Sequence, residues 1–358
     1  MKCQMKYKPL KIGELTASIP LVQGGMGVGI SLSKLAGAVA NEGGVGIIST
    51  AQIGFREAMW DKKPIETNLQ ALVAELKKAR EIAPKGILGF NIMVATKRYE
   101  EYVKTAVKAG ADIIVSGAGL PVDLPKYVEG FKTKIAPIVS SVKAAALICK
   151  LWGRRYNRVP DMVVIEGPKA GGHLGFTPDE AANLNREEYD LEISKIISTV
   201  KQCAKDSNCE IPVVVAGGIY SDEDVRHVIE DLKADGVQIS TRLVTTKECD
   251  ALTVYKEAYL NAQKEDIIIT KSPVGMPGRA INNKFLQMKS EDKAIIKKCH
   301  QCLEKCDPSK IPYCITDALV SAATGDLDNA LIFCGSEAWR NDKIDTVHDV
   351  VVNLFHRK

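Results

Sequence analysis

The chain has 358 residues, of which 46% are hydrophobic and 26% are charged, and its formal net charge is +4 at pH 7. This composition is typical of a globular protein, and the basic residues form no block that would predict nucleic-acid binding. No apolar run approaches the roughly 20 residues that cross a bilayer, and the start MKCQMKYKPL lacks the apolar core of a signal peptide. We therefore expect a cytoplasmic protein that binds a small molecule and has no nucleic-acid or membrane partner.

Short β-branched segments that end in Gly, Ser or Asn alternate with longer segments of helical period, which indicates parallel strands joined by crossover helices. The predicted strands are Leu21–Gln23, Val45–Ser49, Ile87–Asn91, Asp112–Ser116, Ile135–Ser140, Met162–Glu166, Pro212–Ala216 and Gly236–Ser240. The predicted helices are Leu32–Glu42, Asn68–Ile82, Tyr99–Ala109, Leu124–Thr133, Val142–Trp152, Glu188–Lys205, Asp222–Asp231 and Lys247–Ala262. Eight such units favour an α/β fold of the closed (β/α)8 TIM-barrel type, with an open doubly wound sheet as the alternative.

This rhythm breaks after Gln263, where SPVGMPGRA is followed by polar helical segments and a cluster of cysteines. We predict two units: a barrel over residues 1–262, and a C-terminal helical subdomain over residues 263–358 that carries the cysteine cluster.

The ends of strands seven and eight carry the most specific signal for a ligand. Gly217 and Gly218 follow one strand and Thr241 follows the other, and barrels often bind a phosphate at this place. Glycines let backbone N–H groups approach a phosphate closely, and a hydroxyl group can complete the site. We predict a phosphate site that includes Ser240 unless its side chain points into the barrel, with a plain tight turn as the alternative.

The glycine-rich stretch QGGMGVG follows the first strand. Its spacing differs from G-x-G-x-x-G, and the acidic ribose partner about 20 residues further on is not evident, so we do not predict a Rossmann site. The small residues Gly25 and Gly27 would instead let a flat ring lie against the backbone, with Met26 as a cover. A tight turn between strand and helix is the alternative.

His173 is the best candidate for acid–base chemistry. Its imidazole can take or give a proton near neutral pH, and the preceding Gly171 and Gly172 suggest a backbone shaped around a ligand. A purely structural histidine is the alternative. We expect the remaining histidines to be structural or solvated: His227, His300, His348 and His356.

Three polar residues lie near the same strand ends. Glu166 and Lys169 flank the loop of His173 and would orient it or bind a substrate anion, with a solvated loop charge as the alternative. Asn91 ends a buried strand, and its amide can pair with a ring edge or a substrate. The alternative for Asn91 is a cap on the next turn.

The motifs QGGMG, GFNIMV, SGAG, EGPKAGGHLG, AGGI and QISTR occur in this order and resemble the nitronate monooxygenase family, also called 2-nitropropane dioxygenase. The resemblance covers roughly Pro20–Met276 and extends to flavin-type enoyl-acyl carrier protein reductases. It implies FMN as the cofactor and His173 as the catalytic residue, with the flavin ring near Gln238 and Asn91. The complete set that we assign to the cofactor is Gly25, Met26, Gly27, Asn91, Glu166, Gly172, Ala216, Gly217, Gly218, Gln238, Ser240 and Thr241.

The resemblance implies two related activities. In a nitronate monooxygenase, the flavin takes an electron from an anionic nitronate, and oxygen then attacks to give a carbonyl compound and nitrite. His173 would act as a base for neutral nitroalkanes or as a hydrogen-bond partner of the nitronate. In the alternative, NAD(P)H reduces FMN, which passes hydride to an enoyl thioester. Either protein would act on a small molecule, with a homodimer as an open option.

Four of the ten cysteines, Cys299, Cys302, Cys306 and Cys314, are spaced C-x2-C-x3-C-x7-C beyond the barrel. Such spacing can hold zinc or an iron–sulfur cluster, and a cluster would favour the reductase. The spacing matches no ferredoxin pattern well, and free cysteines are often simply buried apolar residues. We therefore predict reduced thiols and no bound metal, with a metal centre as the alternative.

Outside redox chemistry, the same phosphate site would suit a phosphosugar isomerase or an aldolase. The chain lacks a catalytic lysine motif at a strand end, so the aldolase option rests on fold analogy alone. A flavin carrier without catalytic activity is the remaining alternative.

Overall fold

The computed structural model describes residues 5–289, 296 and 298–356. Eight parallel strands close into a barrel in which each strand pairs with its neighbours along the chain, and the last pairs with the first. The barrel strands are β3 (Leu21–Gln23), β4 (Val45–Ser49), β5 (Ile87–Asn91), β6 (Ile113–Ser116), β7 (Lys134–Val139), β8 (Val163–Glu166), β10 (Val213–Ala216) and β11 (Gly236–Ile239). The predicted TIM barrel is confirmed, and each predicted strand is present to within one residue at either end.

An antiparallel hairpin of β1 (Leu10–Ile12) and β2 (Leu15–Ala17) precedes the barrel. Its apolar side chains pack in one cluster with residues that begin the barrel strands, among them Val45, Ile87 and Ile113. The hairpin therefore covers the amino-terminal end of the barrel, which leaves the carboxyl ends of the strands as the place for a site.

Helices surround the barrel, and most of them contribute their apolar faces to two large core clusters. They are α1 (Ser33–Asn41), α2 (Pro64–Ile82), α3 (Tyr99–Lys108), α4 (Leu124–Tyr127), α5 (Val142–Tyr156), α6 (Pro178–Asn183), α7 (Arg186–Asp206), α8 (Asp222–Arg226), α9 (Thr241–Val244), α10 (Thr253–Asn261), α11 (Lys284–Lys289), α12 (Ile315–Thr324) and α13 (Val347–Phe355). In the described part of the chain, none of them combines the length and apolar character that a bilayer span requires.

Two helices are four residues longer than predicted, since α2 starts at Pro64 and not at Asn68, and α5 ends at Tyr156 and not at Trp152. Three others are shorter than predicted. The helix predicted over Leu124–Thr133 ends at Tyr127, because a turn follows in which Gly130 has a φ of +82°. The helix predicted over Asp222–Asp231 is α-helical only to Arg226 and continues as a short π-helix over His227–Asp231.

The helix predicted over Lys247–Ala262 starts at Thr253. The residues before it form a loop in which the Asp250 carboxylate accepts hydrogen bonds from the backbone N–H groups of Leu32 and Leu35, at 2.8 and 3.1 Å. Asp250 thus caps the start of α1, a long-range role that competes with local helix propensity.

The C-terminal part of the chain contains an antiparallel hairpin that the sequence analysis did not predict. Strands β12 (Ile267–Lys271) and β13 (Pro277–Ile281) pair with each other, and β13 also pairs with the short strand β9 (Gly172–His173) in the loop after β8. The helix α13 packs into the same core cluster as β10 and β11. The hairpin therefore meets the barrel at the loop that carries His173.

Candidate active site

A cavity of about 480 Å³ opens at the carboxyl ends of the barrel strands. All thirteen residues predicted to form the site line this one cavity: Gly25, Met26, Gly27, Asn91, Glu166, Gly172, His173, Ala216, Gly217, Gly218, Gln238, Ser240 and Thr241. The strand ends bring these residues together, although they are spread over more than 200 positions of the sequence.

The loop after β10 exposes backbone donors to the cavity. Gly217 and Gly218 have φ values of +102° and +77°, a region that side chains rarely adopt. A Cβ atom on Gly218 would also lie 2.8 Å from Cδ of Lys169. Within the described residues, neither glycine N–H donates to another protein group. These two donors are therefore free to bind an anion in the cavity.

Two hydroxyl groups lie at the neighbouring strand end. Ser240 points its Oγ toward Gly24, where a Cβ atom would overlap it. The Oγ1 atom of Thr241 accepts a hydrogen bond of 2.9 Å from the backbone N–H of Gly335. The loop near residue 335 thus reaches the predicted phosphate site from the C-terminal part of the chain.

The loop after β3 approaches Asn91 closely. A Cβ atom on Gly25 would overlap the side chain of Asn91, so only glycine fits at this position. Next to it, the Met26 N–H donates to Oγ of Ser31 at 2.8 Å. The buried Gln23 fixes the strand end, because its Nε2 donates to the Gly24 carbonyl at 2.6 Å. This side of the cavity is consequently closely packed and held by hydrogen bonds.

His173 is half-buried and sits between the hairpin and a phenylalanine. Its Nε2 lies 2.7 Å from Oγ of Ser272, and the ring of Phe333 meets it edge-on with centroids 5.0 Å apart. Burial lowers the pKa of His173 to about 4. The imidazole is therefore neutral at pH 7, with one ring nitrogen engaged by Ser272 and the other available to a ligand.

Glu166 ends β8 and lines the cavity as a half-buried side chain. Removal from water raises the pKa of its carboxyl group to about 7, because burial disfavours the charged form. Its carbonyl oxygen accepts a 2.9 Å hydrogen bond from Tyr189. Glu166 is thus divided between its neutral and anionic forms near neutral pH. The neighbouring Lys169 is exposed.

Arg279 on β13 holds the loop that carries His173. Its guanidinium is buried and donates to three backbone carbonyl oxygens: Pro168 at 2.6 Å, Ala170 at 2.6 Å and Ala181 at 2.9 Å. Burial lowers the pKa of Arg279. Because one rigid fork joins three backbone points, this side chain fixes the loop after β8 against the hairpin.

The segment Phe333–Glu337 forms a wall of the cavity that the sequence analysis missed. The Ser336 N–H donates to the Lys169 carbonyl at 3.1 Å, which ties the segment to the loop after β8. A signal for this segment does exist in the sequence. The run LIFCGS ends an apolar stretch with glycine and serine, the same pattern that marks the barrel strand ends.

Further lining residues also come from outside the predicted set. They are contributed by the hairpin, by α12 and by the barrel loops, and include Met276, Leu319, Ser49 and Ser140. Among the residues described, none of the clustered Cys299, Cys302, Cys306 and Cys314 lines the cavity. All nine described cysteines are free thiols.

A model of the nitronate monooxygenase family matches residues 8–357, which is almost the whole chain. The chain belongs to the nitronate monooxygenase family. It is 26% identical over 318 residues to a probable nitronate monooxygenase of Staphylococcus saprophyticus, covering 80% of this chain and 82% of that protein. The predicted family membership and the prediction of an oxidoreductase enzyme are thereby confirmed.

Two solved structures share the fold of this family member. FabK from Thermotoga maritima superposes with a TM-score of 0.71 at 24% identity, covering 94% of this chain and 91% of that one. The nitroalkane oxidase from Streptomyces ansochromogenes gives a TM-score of 0.70 at 17% identity, covering 94% of both chains. At these identities the likeness establishes the architecture, including the C-terminal part, and leaves the substrate to the site itself.

Proposed function

We propose that this chain oxidises alkyl nitronates with dioxygen to a carbonyl compound and nitrite, using FMN bound in the cavity at the barrel mouth. The main support for the proposal is that one cavity contains both a place for a phosphate and a group for acid–base chemistry. The free backbone donors of Gly217 and Gly218 suit a phosphate, and the neutral imidazole of His173 suits a small organic substrate.

The residues present fit FMN on three counts. A volume of about 480 Å³ lies within the roughly 300–1,000 Å³ of typical cofactor sites. The phosphate would be held by the N–H groups of Gly217 and Gly218 and by the hydroxyl of Thr241. The ring would lie against the backbone of Gly25, which has to be glycine because a Cβ atom there would overlap the side chain of Asn91.

FMN, when bound, supplies the redox chemistry, since its ring accepts electrons from the substrate and transfers them to oxygen. The chain itself binds and orients. The amides of Asn91 and Gln238 each offer both donors and acceptors to the edge of a ring. Met26 would cover the ring, and Glu166 would lie near it as a carboxyl that is half-protonated near pH 7.

His173 would contact the substrate. Because the ring is neutral at pH 7, it would accept the α-proton of a neutral nitroalkane, or donate a hydrogen bond to the nitro oxygens of a nitronate. A bound anion favours the protonated imidazole, so binding of a nitronate would raise the pKa of His173 from its low value. Ser272 would keep the ring in place through the 2.7 Å contact.

The proposal is tested by anaerobic stopped-flow absorbance of the purified protein, mixed separately with NADH, NADPH and an alkyl nitronate. We expect the nitronate alone to bleach a flavin band, and we expect nitrite to appear once air is admitted. A nicotinamide should leave the band unchanged over the same time.

Two other results would overturn the proposal in different ways. Rapid bleaching by a nicotinamide without any response to nitronate would indicate the flavin-type enoyl-acyl carrier protein reductase. A purified protein without a flavin band that also fails to bind added FMN would indicate a phosphate-ligand barrel of the isomerase or aldolase type.

A further inference from the structure

The residues assigned to the phosphate come from three segments that lie far apart in the sequence. Gly217 and Gly218 follow β10, Thr241 follows β11, and Gly335 lies near the C-terminus. All four residues line the cavity. The hydrogen bond between Thr241 and Gly335 joins two of the segments, but it does not include the loop after β10.

Tyr220, two positions after Gly218, contacts both of the other segments through its hydroxyl group. The hydroxyl donates to the backbone carbonyl of Arg340 at 2.7 Å and accepts a hydrogen bond of 3.0 Å from Nη1 of Arg242. A hydroxyl group has one hydrogen and two lone pairs, so both bonds can exist at once. Arg242 directly follows the threonine of the site, and Arg340 lies five positions after the glycine of the third segment. One phenol therefore links all three segments.

The ring of Tyr220 adds a second kind of contact to the same two arginines. The Cζ atom of Arg340 lies 4.5 Å from the ring centroid, and that of Arg242 lies 4.9 Å from it. A guanidinium group at such a distance over an aromatic face is attracted by the negative π surface. The phenol is thus held both by its ring and by its hydroxyl group, which leaves it little freedom to turn.

Carboxylates hold the two arginines in place. Nη2 of Arg242 lies 2.8 Å from Oδ2 of Asp345, and the exposed fractions of these side chains are only 11% and 7%. A buried pair of this kind is screened by salt much less than an exposed one. Nη1 of Arg340 lies 3.5 Å from Oε2 of Glu337 and 3.9 Å from Oδ2 of Asp224. The partners of the phenol are accordingly fixed by their own contacts.

The backbone of Tyr220 is held by the start of α8. The N–H groups of Tyr220 and Ser221 both donate to Oδ2 of Asp224, at 3.1 and 2.9 Å. One residue separates Gly218 from Tyr220. A shift of the phenol would therefore also shift the free backbone N–H groups of the phosphate site.

We propose that Tyr220 is the positioning residue of the phosphate site. It holds the loop after β10, the strand end at Thr241 and the segment near Gly335 in the arrangement that a phosphate group requires, before the ligand arrives. Within the described part of the chain, the lining of the cavity does not include Tyr220, so it acts through the residues that it holds. This inference rests on the proposed binding of FMN and concerns the phosphate part of that ligand.

The effect on affinity follows from preorganisation. Loops that become ordered only when a ligand binds lose conformational entropy at that step, and this loss weakens binding. Tyr220→Phe keeps the ring over the guanidinium groups but loses both hydrogen bonds of the hydroxyl group. We expect the dissociation constant of FMN to rise roughly tenfold in this variant. Tyr220→Leu also loses the ring contacts and should weaken FMN binding further.

The test compares FMN with riboflavin, which has the same ring and ribityl chain but no phosphate. Flavin is removed from the purified protein, and the dissociation constant of each flavin is measured by fluorescence titration. Tyr220→Phe should weaken FMN binding and leave riboflavin binding unchanged, so that the preference for FMN falls roughly tenfold. The inhibition constant of inorganic phosphate against FMN should rise in the same variant.

Tyr102→Phe is the matched control. Tyr102 on α3 is buried, and its hydroxyl group accepts a hydrogen bond of 3.0 Å from Nδ2 of Asn68. Within the described residues it does not line the cavity. This variant should be less stable than the wild-type protein in thermal unfolding without flavin, yet keep the wild-type preference for FMN over riboflavin.

Three results would overturn the inference, and they differ in what they mean for the proposed function. An equal preference for FMN in Tyr220→Phe and the wild-type protein would show that the phenol only stabilises the fold, and the proposed function would stand. A wild-type protein that binds FMN no more tightly than riboflavin would exclude a phosphate site at these loops. A wild-type protein that binds neither flavin would overturn the proposed function as well. The last two are measured without any variant.

Discussion

The Nε2 atom of His173 lies 2.7 Å from Oγ of Ser272, although 99 positions separate the two residues. Ser272 follows β12, at the start of the turn of a hairpin outside the barrel strands, and the same hairpin pairs with the strand that carries His173. The hydroxyl group of Ser272 therefore sets the position of the imidazole from outside the barrel, and it is a positioning residue rather than a catalytic one.

Substitution of Ser272 by alanine should lower kcat by roughly tenfold, because the lost hydrogen bond is worth about 1–1.5 kcal/mol. KM for the nitronate should change less, since the imidazole remains in the site. Steady-state nitrite release measures both constants. His173→Ala in the same assay should lose most turnover, and both variants should keep their flavin.

Ser272→Thr is the matched control, because it retains the hydroxyl group and should retain most of the activity. Equal activity of Ser272→Ala and the wild-type protein would show that the imidazole needs no partner in the hairpin.

The barrel could be predicted because its signals are local. Each strand is a short β-branched segment that ends in a small or polar residue, and the site residues sit at those ends by the geometry of the fold. The contact of Thr241 with Gly335 spans 94 positions, and no local pattern encodes it. The same is true of Asp250, whose cap on α1 replaced a helix that propensity alone favoured.

The hairpin of β12 and β13 was missed for a different reason. The segment around its turn contains several glycine and proline residues, which predicts a loop. The pairing of β13 with β9, in which Gly278 lies opposite His173, is a long-range contact that no local pattern indicates. Ser272 and Arg279 thus went unnoticed as partners of the predicted site. A sequence can reveal which residues carry chemistry, while the residues that hold them depend on tertiary contacts.

Gly218→Ala should weaken FMN binding. At a φ of +77° an alanine costs about 1–2 kcal/mol, and its methyl group would press against Lys169 and turn the backbone N–H from the phosphate. We expect the dissociation constant to rise at least tenfold, measured by fluorescence during titration of flavin-free protein with FMN.

Gly110→Ala is the control for backbone strain alone. Gly110 has a φ of +88° and no neighbouring atom within 4 Å of an added Cβ, and it does not line the cavity. It should lose similar stability and bind FMN normally. Equal FMN affinity of the two variants would exclude Gly218 from the phosphate site.

Glu166→Gln should change how stability depends on pH. The fold raises the pKa of Glu166 from 4.5 to about 7, so the folded state favours the protonated carboxyl. The stability that this contributes is complete below pH 4.5 and is lost as pH rises through 7. Glutamine is neutral throughout, and the variant should gain about 1–3 kcal/mol relative to wild type between pH 5 and 8.

Urea unfolding at several pH values measures this gap, with Glu187→Gln at an exposed position of α7 as the control for the substitution itself. A difference in unfolding free energy between Glu166→Gln and wild type that stays constant from pH 5 to 8 would contradict a raised pKa.

Nitronate turnover offers a second readout, because an anionic Glu166 repels an anionic substrate. The fall in wild-type kcat/KM as pH rises through 7 should be absent from the variant.

Arg279 should affect both the stability of the fold and the rate of the reaction. Arg279→Met keeps most of the apolar stem and leaves three buried carbonyl oxygens without a donor. This should cost about 3–5 kcal/mol in the free energy of unfolding. Because the freed loop carries His173, kcat should fall as well, even at temperatures where the variant is fully folded.

The stability of Arg279→Lys should lie between that of Arg279→Met and that of the wild-type protein. An ammonium group can replace some of the hydrogen bonds, but it cannot reach all three carbonyls in the planar geometry of a guanidinium. Arg186→Met, at an exposed position of α7, controls for the loss of one positive charge. If Arg279→Met unfolded at the same urea concentration as Arg186→Met, the loop after β8 would have to be held by its other contacts, such as the bond between Ser336 and the Lys169 carbonyl.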